Sequence, residues 1–292
     1  MEKVPGKEYN MKFTKMHGIG NDYIYVNCFQ ENVKNPSEAA RRLSDRHFGV
    51  GGDGLILIWP SQKADFKMEM YNADGSLGAM CGNGIRCVGK YVYDYGLTDQ
   101  TQISVETESG IKFLNLTAEK GKVIEAEVDM GEPVLTPKRI PVSLKGDAVI
   151  NQELCLDGKN YRITCVSMGN PHCVVPVEDV QGLEIEKTGP LFEHHSLFPD
   201  RVNTEFIRVL DRKNIQMRVW ERGSGETLAC GTGACAVAVA CALNGWTQDE
   251  VTVHLLGGDL KIRWDRDKNH IFMTGPAAAV FEGEIDLDAF LA

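Results

Sequence analysis

The chain has 292 residues, of which 43% are hydrophobic and 25% are charged, and its formal net charge at pH 7 is −10. This composition is typical of a folded globular protein and excludes extensive disorder. The length suits two domains of similar size. An acidic chain without a run of Lys and Arg does not suit nucleic acid or an anionic membrane as its main partner.

The N-terminal sequence, MEKVPGKEYN, is polar, and we expect it to be a leader outside the fold and not a signal peptide. The longest apolar run, Ala234–Leu243, is about half as long as a membrane span and instead predicts a helix buried on all sides. Nine cysteines without a signal sequence favour a reducing compartment. The sequence therefore predicts a cytoplasmic protein that does not span a membrane.

The predicted elements begin with a strand, a glycine turn and a second strand over Met11–Phe29. A helix over Pro36–His47 follows, with Ser37 as its N-cap. Two further helices follow glycine-rich turns, at Ile85–Tyr95 and Ala234–Asn244. The other predicted elements are short strands: Leu55–Trp59, Phe66–Tyr71, Ile103–Thr107, Lys112–Thr117, Val123–Asp129, Tyr161–Ser167, Cys173–Val177, Val202–Val209, Ile215–Trp220, Val251–Leu255, Leu260–Arg263, His270–Thr274 and Ala279–Phe281.

Many short strands with few helices predict an α+β fold. We expect two pseudo-symmetric domains, each a mostly antiparallel sheet or barrel wrapped around a central helix. The first half is expected to cover residues 11–129 and the second half residues 130–278. The segment 279–292, which contains the last predicted strand, is expected to join the first half.

A repeated cysteine motif is the main evidence for this symmetry. CGNG begins at Cys81 and CGTG begins at Cys230, which is 149 positions later. The same shift places Gly20-Asn21 on Gly169-Asn170 and Tyr71-Asn72 on Trp220-Glu221. The chain is therefore interpreted as two duplicated halves, each presenting one thiol on a glycine-rich turn before a helix.

The position of these thiols predicts acid/base chemistry. The N-terminus of a helix binds an anion such as a substrate carboxylate, and it can lower a cysteine pKa from about 8.5 to roughly 3.5–7.5. Two such turns that face each other would place a sulfur on each face of the carbon beside a bound carboxylate. One thiolate could then remove a proton while the opposite thiol delivers one, without a pyridoxal cofactor or a metal.

Six blocks of the sequence resemble the signature blocks of the diaminopimelate epimerase family. They are GIGNDY at Gly18–Tyr23, YNADGS at Tyr71–Ser76, CGNGIRC at Cys81–Cys87, GNPH at Gly169–His172, RVNTEF at Arg201–Phe206 and ERGSGETLACGTGAC at Glu221–Cys235. The resemblance extends from about Met11 to the C-terminus. It implies a fold of two similar α+β halves and a homodimer that interconverts LL- and meso-diaminopimelate, without a cofactor, on the route to lysine and peptidoglycan.

The resemblance also implies a role for each matching residue. Cys81 and Cys230 would be the acid/base thiols, and His172 and Glu221 would flank them and tune their protonation. The backbone of four residues would hold the reacting carboxylate: Gly82, Asn83, Gly231 and Thr232. Asn21 would also recognise the substrate. Four further residues would recognise mainly its distal end: Asn72, Asn170, Asn203 and Arg222. Glu221 would also contribute to substrate binding.

Three alternatives remain open at this point. The chain could be a racemase or epimerase of proline, hydroxyproline or histidine on the same scaffold, a redox protein that cycles a Cys81–Cys230 disulfide, or an inactive amino-acid binder. A zinc site is not expected because no Cys-x-x-Cys spacing occurs. The remaining cysteines are expected to be buried and structural: Cys28, Cys87, Cys155, Cys165, Cys173, Cys235 and Cys241.

Overall fold

The computed structural model describes residues 10–292, so residues 1–9 of the expected leader lie outside the described residues. The strands are β1 Met11–Gly18, β2 Asn21–Asn27, β3 Gly54–Pro60, β4 Phe66–Asn72, β5 Leu77–Gly78, β6 Gln102–Thr107, β7 Gly110–Glu119, β8 Lys122–Gly131, β9 Gln152–Leu156, β10 Lys159–Ser167, β11 Pro171–Pro176, β12 Asn203–Val209, β13 Asn214–Glu221, β14 Gly225–Thr227, β15 Glu250–Leu255, β16 Gly258–Asp265, β17 His270–Pro276 and β18 Ala278–Ile285. The α-helices are α1 Pro36–Ser44, α2 Gly82–Asp94, α3 Ile185–Glu193, α4 Gly231–Leu243 and α5 Leu287–Leu291, and a short 3₁₀ helix spans Pro137–Arg139.

The chain divides into two compact units. The first contains the described residues up to Ala126 together with Pro276–Ala292, and the second contains Glu127–Gly275. The architecture is therefore α+β, with sheet and few helices in each unit, which confirms the predicted fold class.

The first unit is a mixed sheet that packs on two helices. β18, β1 and β2 are antiparallel neighbours, β2 and β3 are parallel, β3 and β4 are antiparallel, β4 and β6 are parallel, and β6 and β7 are antiparallel. Leu55 and Leu57 of β3 belong to the same core cluster as Leu43 of α1. Ile56 lies between them and approaches Gly84 of α2. Strand alternation thus places α1 and α2 on opposite faces of β3.

The second unit repeats this topology. β9, β10 and β11 are antiparallel neighbours, β11 and β12 are parallel, β12 and β13 are antiparallel, β13 and β15 are parallel, and β15, β16 and β17 are antiparallel. α4 packs against β10, β11, β12, β15 and β16. Its sequence is apolar all round, as expected for a helix enclosed by sheet.

The 149-residue repeat is present in the backbone itself. α3 and α4 begin and end 149 positions after α1 and α2. The parallel pair β2/β3 aligns Tyr23 with Gly54, and β11/β12 aligns His172 with Asn203, which is the same register after the shift. The repeat thus fixes strand register and helix ends from β2 through the central helix.

Several predicted boundaries were wrong. α2 and α4 begin three residues earlier than expected because the CGxG turns already have helical conformation, with Cys81 and Cys230 as N-caps. The N-cap of α1 is Asn35 and not Ser37, whose hydroxyl donates to the Gly75 carbonyl at 2.7 Å.

Two further expectations also failed. α1 ends at Ser44 and not at His47, because the Asp45 carboxylate accepts the backbone N–H groups of His47 and Phe48 at 2.7 and 2.8 Å and so closes a turn there. Cys155 is exposed, since it lies on β9, a strand with few buried residues. Within residues 10–292, no helix is long and apolar enough to cross a membrane.

Candidate functional site

In the first unit, the turn between β1 and β2 places Asn21 beside Cys81. Gly20 has φ of 90°, a conformation that favours glycine and allows the tight turn. The Asn21 amide nitrogen donates to the Asp53 carboxylate at 2.7 Å, and the Cys81 thiol donates to the Asn21 amide oxygen at 3.1 Å. Asp53 also accepts the backbone N–H of Asp22 at 3.0 Å. Asp53, which the sequence analysis did not select, therefore orients the asparagine that contacts the thiol.

Cys81 is the N-cap of α2. Its sulfur accepts the backbone N–H of Gly84 at 3.3 Å, and the residue is partly exposed. Gly82 and Asn83 form the first turn of the helix, at the positive end of its dipole. Backbone N–H groups at such a helix start have no intrahelical partner and favour anions.

A buried arginine supports this helix start. Arg86 is fully buried and donates to the carbonyl of Gly82 at 3.1 Å, to the side-chain oxygen of Asn83 at 3.0 Å and to the carbonyl of Pro276 at 3.3 Å. The Asn83 side chain is thus engaged within its own helix. Arg86 fixes the geometry of the turn that presents Cys81.

In the second unit, a chain of hydrogen bonds leads to Cys230. This residue is the N-cap of α4, is 5% exposed, and has its sulfur 3.6 Å from the hydroxyl of Thr232. The Asn170 amide nitrogen donates to the Thr232 hydroxyl at 3.3 Å, and the Asn170 oxygen lies 2.9 Å from Nε2 of His172. Three residues selected from the sequence therefore converge on this thiol.

The other end of this chain is Glu205, which the sequence analysis missed. Glu205 and His172 are both fully buried, and a carboxylate oxygen of Glu205 lies 2.7 Å from Nδ1 of His172. The available signal was a glutamate directly before the apolar pair Phe206-Ile207 of strand β12. A buried carboxylate in such a strand requires a specific partner.

The environment of Cys230 does not lower its pKa, contrary to the expectation from the helix dipole. Burial raises the pKa of the Cys230 thiol well above its usual value, and the carboxylates of Glu221 and Glu205 raise it further. Hydrogen bonds from Thr232 and from the Gly233 backbone act in the opposite direction but are weaker. Desolvation of the thiolate outweighs the field of the helix N-terminus.

The remaining selected residues have well-defined contacts. Asn203 is 4% exposed; its amide nitrogen donates to the Pro171 carbonyl, and its oxygen accepts the backbone N–H of Arg222, both at 2.9 Å. The Arg222 guanidinium donates to the Asp200 carbonyl at 3.0 Å. Asn203 therefore braces the backbone that carries Arg222.

Glu221 and Asn72 occupy matching ends of β13 and β4. Glu221 accepts the hydroxyl of Thr227. The Asn72 amide nitrogen donates to the hydroxyl of Ser76 at 2.9 Å. Within residues 10–292, no three His, Cys, Asp or Glu side chains lie close enough together to hold a metal ion.

Solved structures share this fold at low sequence identity. A phenazine biosynthesis protein of the PhzF family from Bacillus anthracis is 17% identical, with a TM-score of 0.69 over 95% of this chain and 99% of that chain. A hydroxyproline epimerase from Agrobacterium vitis is 14% identical, with a TM-score of 0.68 over 94% of this chain and 92% of that chain. At these identities the similarity shows the fold alone.

Sequence comparisons identify much more similar proteins. The diaminopimelate epimerase family model matches residues 13–136 and 164–280. The diaminopimelate epimerase of Acetivibrio thermocellus is 60% identical over 95% of this chain and 99% of its own length. Those of Agathobacter rectalis and Methanococcus maripaludis are 59% and 57% identical, each over 95% of this chain and 100% of their own length. This chain belongs to the diaminopimelate epimerase family.

Proposed function

We propose that this chain interconverts LL- and meso-diaminopimelate without a cofactor, with Cys81 and Cys230 as the two acid/base thiols. The observation that carries the proposal is the repeated placement of a cysteine as N-cap of the central helix of each unit. Relatives that are 57–60% identical over 95% of the chain and bear this activity as their name support the choice of substrate.

The first step is binding of the reacting carboxylate. The backbone N–H groups at the starts of α2 and α4, contributed by Gly82, Asn83, Gly231 and Thr232, are the proposed donors. Helix N-termini favour anions, and the same donors would stabilise the charge that develops as the α C–H bond breaks. These helix starts therefore serve both binding and catalysis.

The second step is proton transfer at the α-carbon. One cysteine, as thiolate, takes the α-proton, and the other, as thiol, delivers its proton to the opposite face. The two thiols have to be in different protonation states at the moment of reaction. Glu221 and His172 act on Cys230, the former through its negative charge and the latter through the Asn170–Thr232 hydrogen bonds.

Recognition of the distal amino-acid group is the basis for substrate choice. We propose that Asn21 contacts the substrate beside Cys81 and that the distal amine and carboxylate bind residues with planar amide or guanidinium groups, as these pair with fixed geometry: Asn72, Asn170, Asn203 and Arg222. A substrate without a second amino-acid group would leave these groups without their partners, at a cost of about 1–3 kcal/mol each.

Deuterium exchange tests the proposed reaction and substrate together. The protein is incubated in D₂O with LL-diaminopimelate, L-proline or L-histidine, and α-deuterium is followed by mass spectrometry. We expect incorporation and formation of the meso isomer with diaminopimelate only. Exchange with proline or histidine but not with diaminopimelate would contradict the substrate assignment and favour another racemase on the same scaffold.

Substitution of each thiol tests the mechanism. Cys81→Ser and Cys230→Ser are each expected to remove most epimerisation because a hydroxyl is much harder to ionise than a thiol. Cys241→Ser, a buried cysteine of α4 away from its N-terminus, is the control and is expected to remain active. Full activity of either thiol variant, or a reaction that requires oxidised protein, would contradict the acid/base role.

The organisation of the protein is proposed along with its activity. We propose a cytoplasmic homodimer in which residues 11–129 with 279–292, and residues 130–278, are the two functional halves. A reducing compartment would keep the two catalytic cysteines in the thiol state that the mechanism needs. Light scattering after size-exclusion chromatography measures the mass directly; a mass of one chain at enzyme concentrations would contradict the dimer.

A further inference from the structure

Glu205 is a carboxylate in a place where ionisation is costly. It is fully buried on β12, and one of its oxygens contacts Nδ1 of His172 at 2.7 Å. Its other oxygen is buried and has no hydrogen-bond partner in the described part of the chain. A buried charge with incomplete hydrogen bonding destabilises the fold unless another interaction offsets it. Because this arrangement destabilises the fold, we expect it to serve a function.

Gly233 brings this carboxylate close to Cys230. The point where a Cβ of residue 233 would stand is 2.8 Å from the contacting oxygen of Glu205 and 3.2 Å from the Cys230 sulfur. The oxygen and the sulfur are therefore no more than about 6 Å apart, a distance at which one negative charge disfavours another. Glycine at position 233 adds no side chain of its own there, and the Met217 methyl lies 3.0 Å from the same point.

Other groups around Cys230 act in both directions, since hydrogen bonds from Thr232 and from the Gly233 backbone lower its pKa. Glu221, at the end of β13, also raises the pKa of Cys230, and burial contributes more than either carboxylate. Burial raises the pKa of the Glu205 carboxyl, and His172 on β11, which contacts the same Glu205 oxygen that lies nearest to Gly233, lowers it to a smaller extent.

The strands on the other side of α4 present apolar residues. β15 and β16 contribute buried side chains that include Val253, Leu260 and Ile262. The Glu205 carboxylate therefore lies close to a thiol that has little access to water. This arrangement opposes ionisation of Cys230.

We propose that Glu205 is a positioning residue that keeps Cys230 in its protonated, proton-donating form in the free enzyme. The catalytic meaning of this inference rests on the proposed epimerase function. In the proton-donating step, the S–H bond of Cys230 breaks, a C–H bond forms at the α-carbon, and the electron pair of the S–H bond stays on sulfur. Cys230 would thus be the acid, and Cys81, which has already lost its own proton to solvent, would take the α-proton as a thiolate.

Thiolate absorbance at 240 nm tests this inference without substrate. The absorbance of the parent protein is compared with that of Cys230→Ser across a pH titration, and the difference gives the titration of Cys230. The same comparison with Cys81→Ser gives the titration of Cys81. In a Glu205→Gln background, we expect the Cys230 midpoint to fall by about one pH unit or more, as expected for loss of a charge at this distance. The Cys81 midpoint is expected to stay unchanged.

Two further variants make the result decisive. Glu205→Met removes the charge with an apolar side chain of similar length, and it is expected to lower the Cys230 midpoint even if the glutamine variant does not fold. Glu193→Gln changes another buried carboxylate of the same unit, one that contacts Trp220, and it is expected to leave the Cys230 midpoint in place. An unchanged or raised Cys230 midpoint in both Glu205 variants would overturn the inference.

The pH profile connects the titration to catalysis. The limb of kcat/KM that requires protonated Cys230 is expected to move to lower pH by the same amount in Glu205→Gln. A carboxylate that only supports the fold would lower the rate without moving this limb. If diaminopimelate proved not to be the substrate, the titration would still decide the role of Glu205, so the two proposals fail separately.

Discussion

Asn21 and Asn170 occupy equivalent positions of the two halves, but their amides point in opposite directions. The Asp53 carboxylate anchors the nitrogen of Asn21, so its oxygen faces Cys81. His172 anchors the oxygen of Asn170, so its nitrogen faces Thr232, which contacts the sulfur of Cys230. The backbone repeat therefore presents two chemically different environments to the two thiols. Such a difference suits the proposed mechanism, in which one thiol gives a proton while the other takes one.

Asp53 provides a direct test of amide orientation. Asp53→Ala removes the acceptor that anchors Asn21, and we expect kcat/KM to fall by about tenfold to a hundredfold, the equivalent of about 1–3 kcal/mol for a lost hydrogen bond to a charged, partly buried carboxylate. Steady-state assays of the variant measure the change. Asp45→Ala, a change at the turn after α1 in the same unit, is the control that should keep its activity. Equal activity of both variants would contradict a positioning role for Asp53.

The carboxylate of Asp22, next to Asn21 in the sequence, makes a contribution to stability that depends on pH. Burial raises the pKa of Asp22, but contacts with Arg46 and Lys15 lower it by more, so that the net shift is downward. The Lys15 ammonium is nearly buried and lies 2.6 Å from Asp22. Because the folded-state pKa is lower than the unfolded one, this carboxylate stabilises the fold above its unfolded pKa of about 3.9, and the contribution is lost as pH falls through the lower folded value.

We therefore expect Asp22→Asn to lower the free energy of unfolding by about 3 kcal/mol at pH 7, since it leaves a buried lysine without its carboxylate. Urea unfolding at several pH values measures this loss, which should shrink below about pH 4 as the parent also becomes protonated. Glu284→Gln, in an exposed pair with Lys12, should change stability by less than about 1 kcal/mol. A loss for Asp22→Asn that is independent of pH would contradict the ion-pair explanation.

At the level of elements, both central helices begin on the glycines that follow the cysteine. The sequence predicted these helices and their C-terminal glycines but not their starts, because CGNG and CGTG read equally well as loops. Helical conformation there depends on tertiary contacts, such as those that Arg86 makes with Gly82 and Asn83. Tertiary contacts of this kind are not visible in local sequence patterns.

Gly233 tests how closely the start of α4 fits its surroundings. An alanine Cβ would lie 2.8 Å from the Glu205 carboxylate and 3.2 Å from the Cys230 sulfur, both buried. We expect Gly233→Ala to lower kcat by about a hundredfold, as for a displacement of a reacting group by about 1 Å.

Gly245→Ala is the matched control at the other end of the same helix. It has φ of +71° and no atom within 4 Å of the added Cβ. Strain there is expected to cost about 1–2 kcal/mol of stability without loss of activity. Assays combined with thermal unfolding separate the two effects; normal activity in Gly233→Ala would contradict the proposed crowding around the thiol.

At the level of the whole molecule, the sequence repeat predicted most of the architecture. A shift of 149 residues located both thiols and the matching asparagines, because duplication preserves register wherever the same core is repeated. It could not locate Asp53 or Glu205, whose positions 149 residues away hold Val202 and Ile56. Each carboxylate occurs in only one of the two halves, so a comparison of the halves gives no signal for it.

The two thiols of one site are proposed to come from one chain. A mixture of Cys81→Ser and Cys230→Ser proteins, including a sample unfolded and refolded together, is therefore expected to show no more activity than either alone. Native gels and light scattering verify that the mixture has assembled. Recovery of a substantial fraction of parent activity would instead assign one thiol of each site to a partner chain.

The most direct test of the proposed mechanism is a crystal structure with bound diaminopimelate that gives the distance from each cysteine sulfur to the reacting α-carbon. The mechanism predicts both sulfurs of Cys81 and Cys230 within about 3.5 Å of that carbon, on opposite faces. A bound substrate with only one of these sulfurs near the α-carbon, or with both on the same face, would contradict two-thiol stereoinversion.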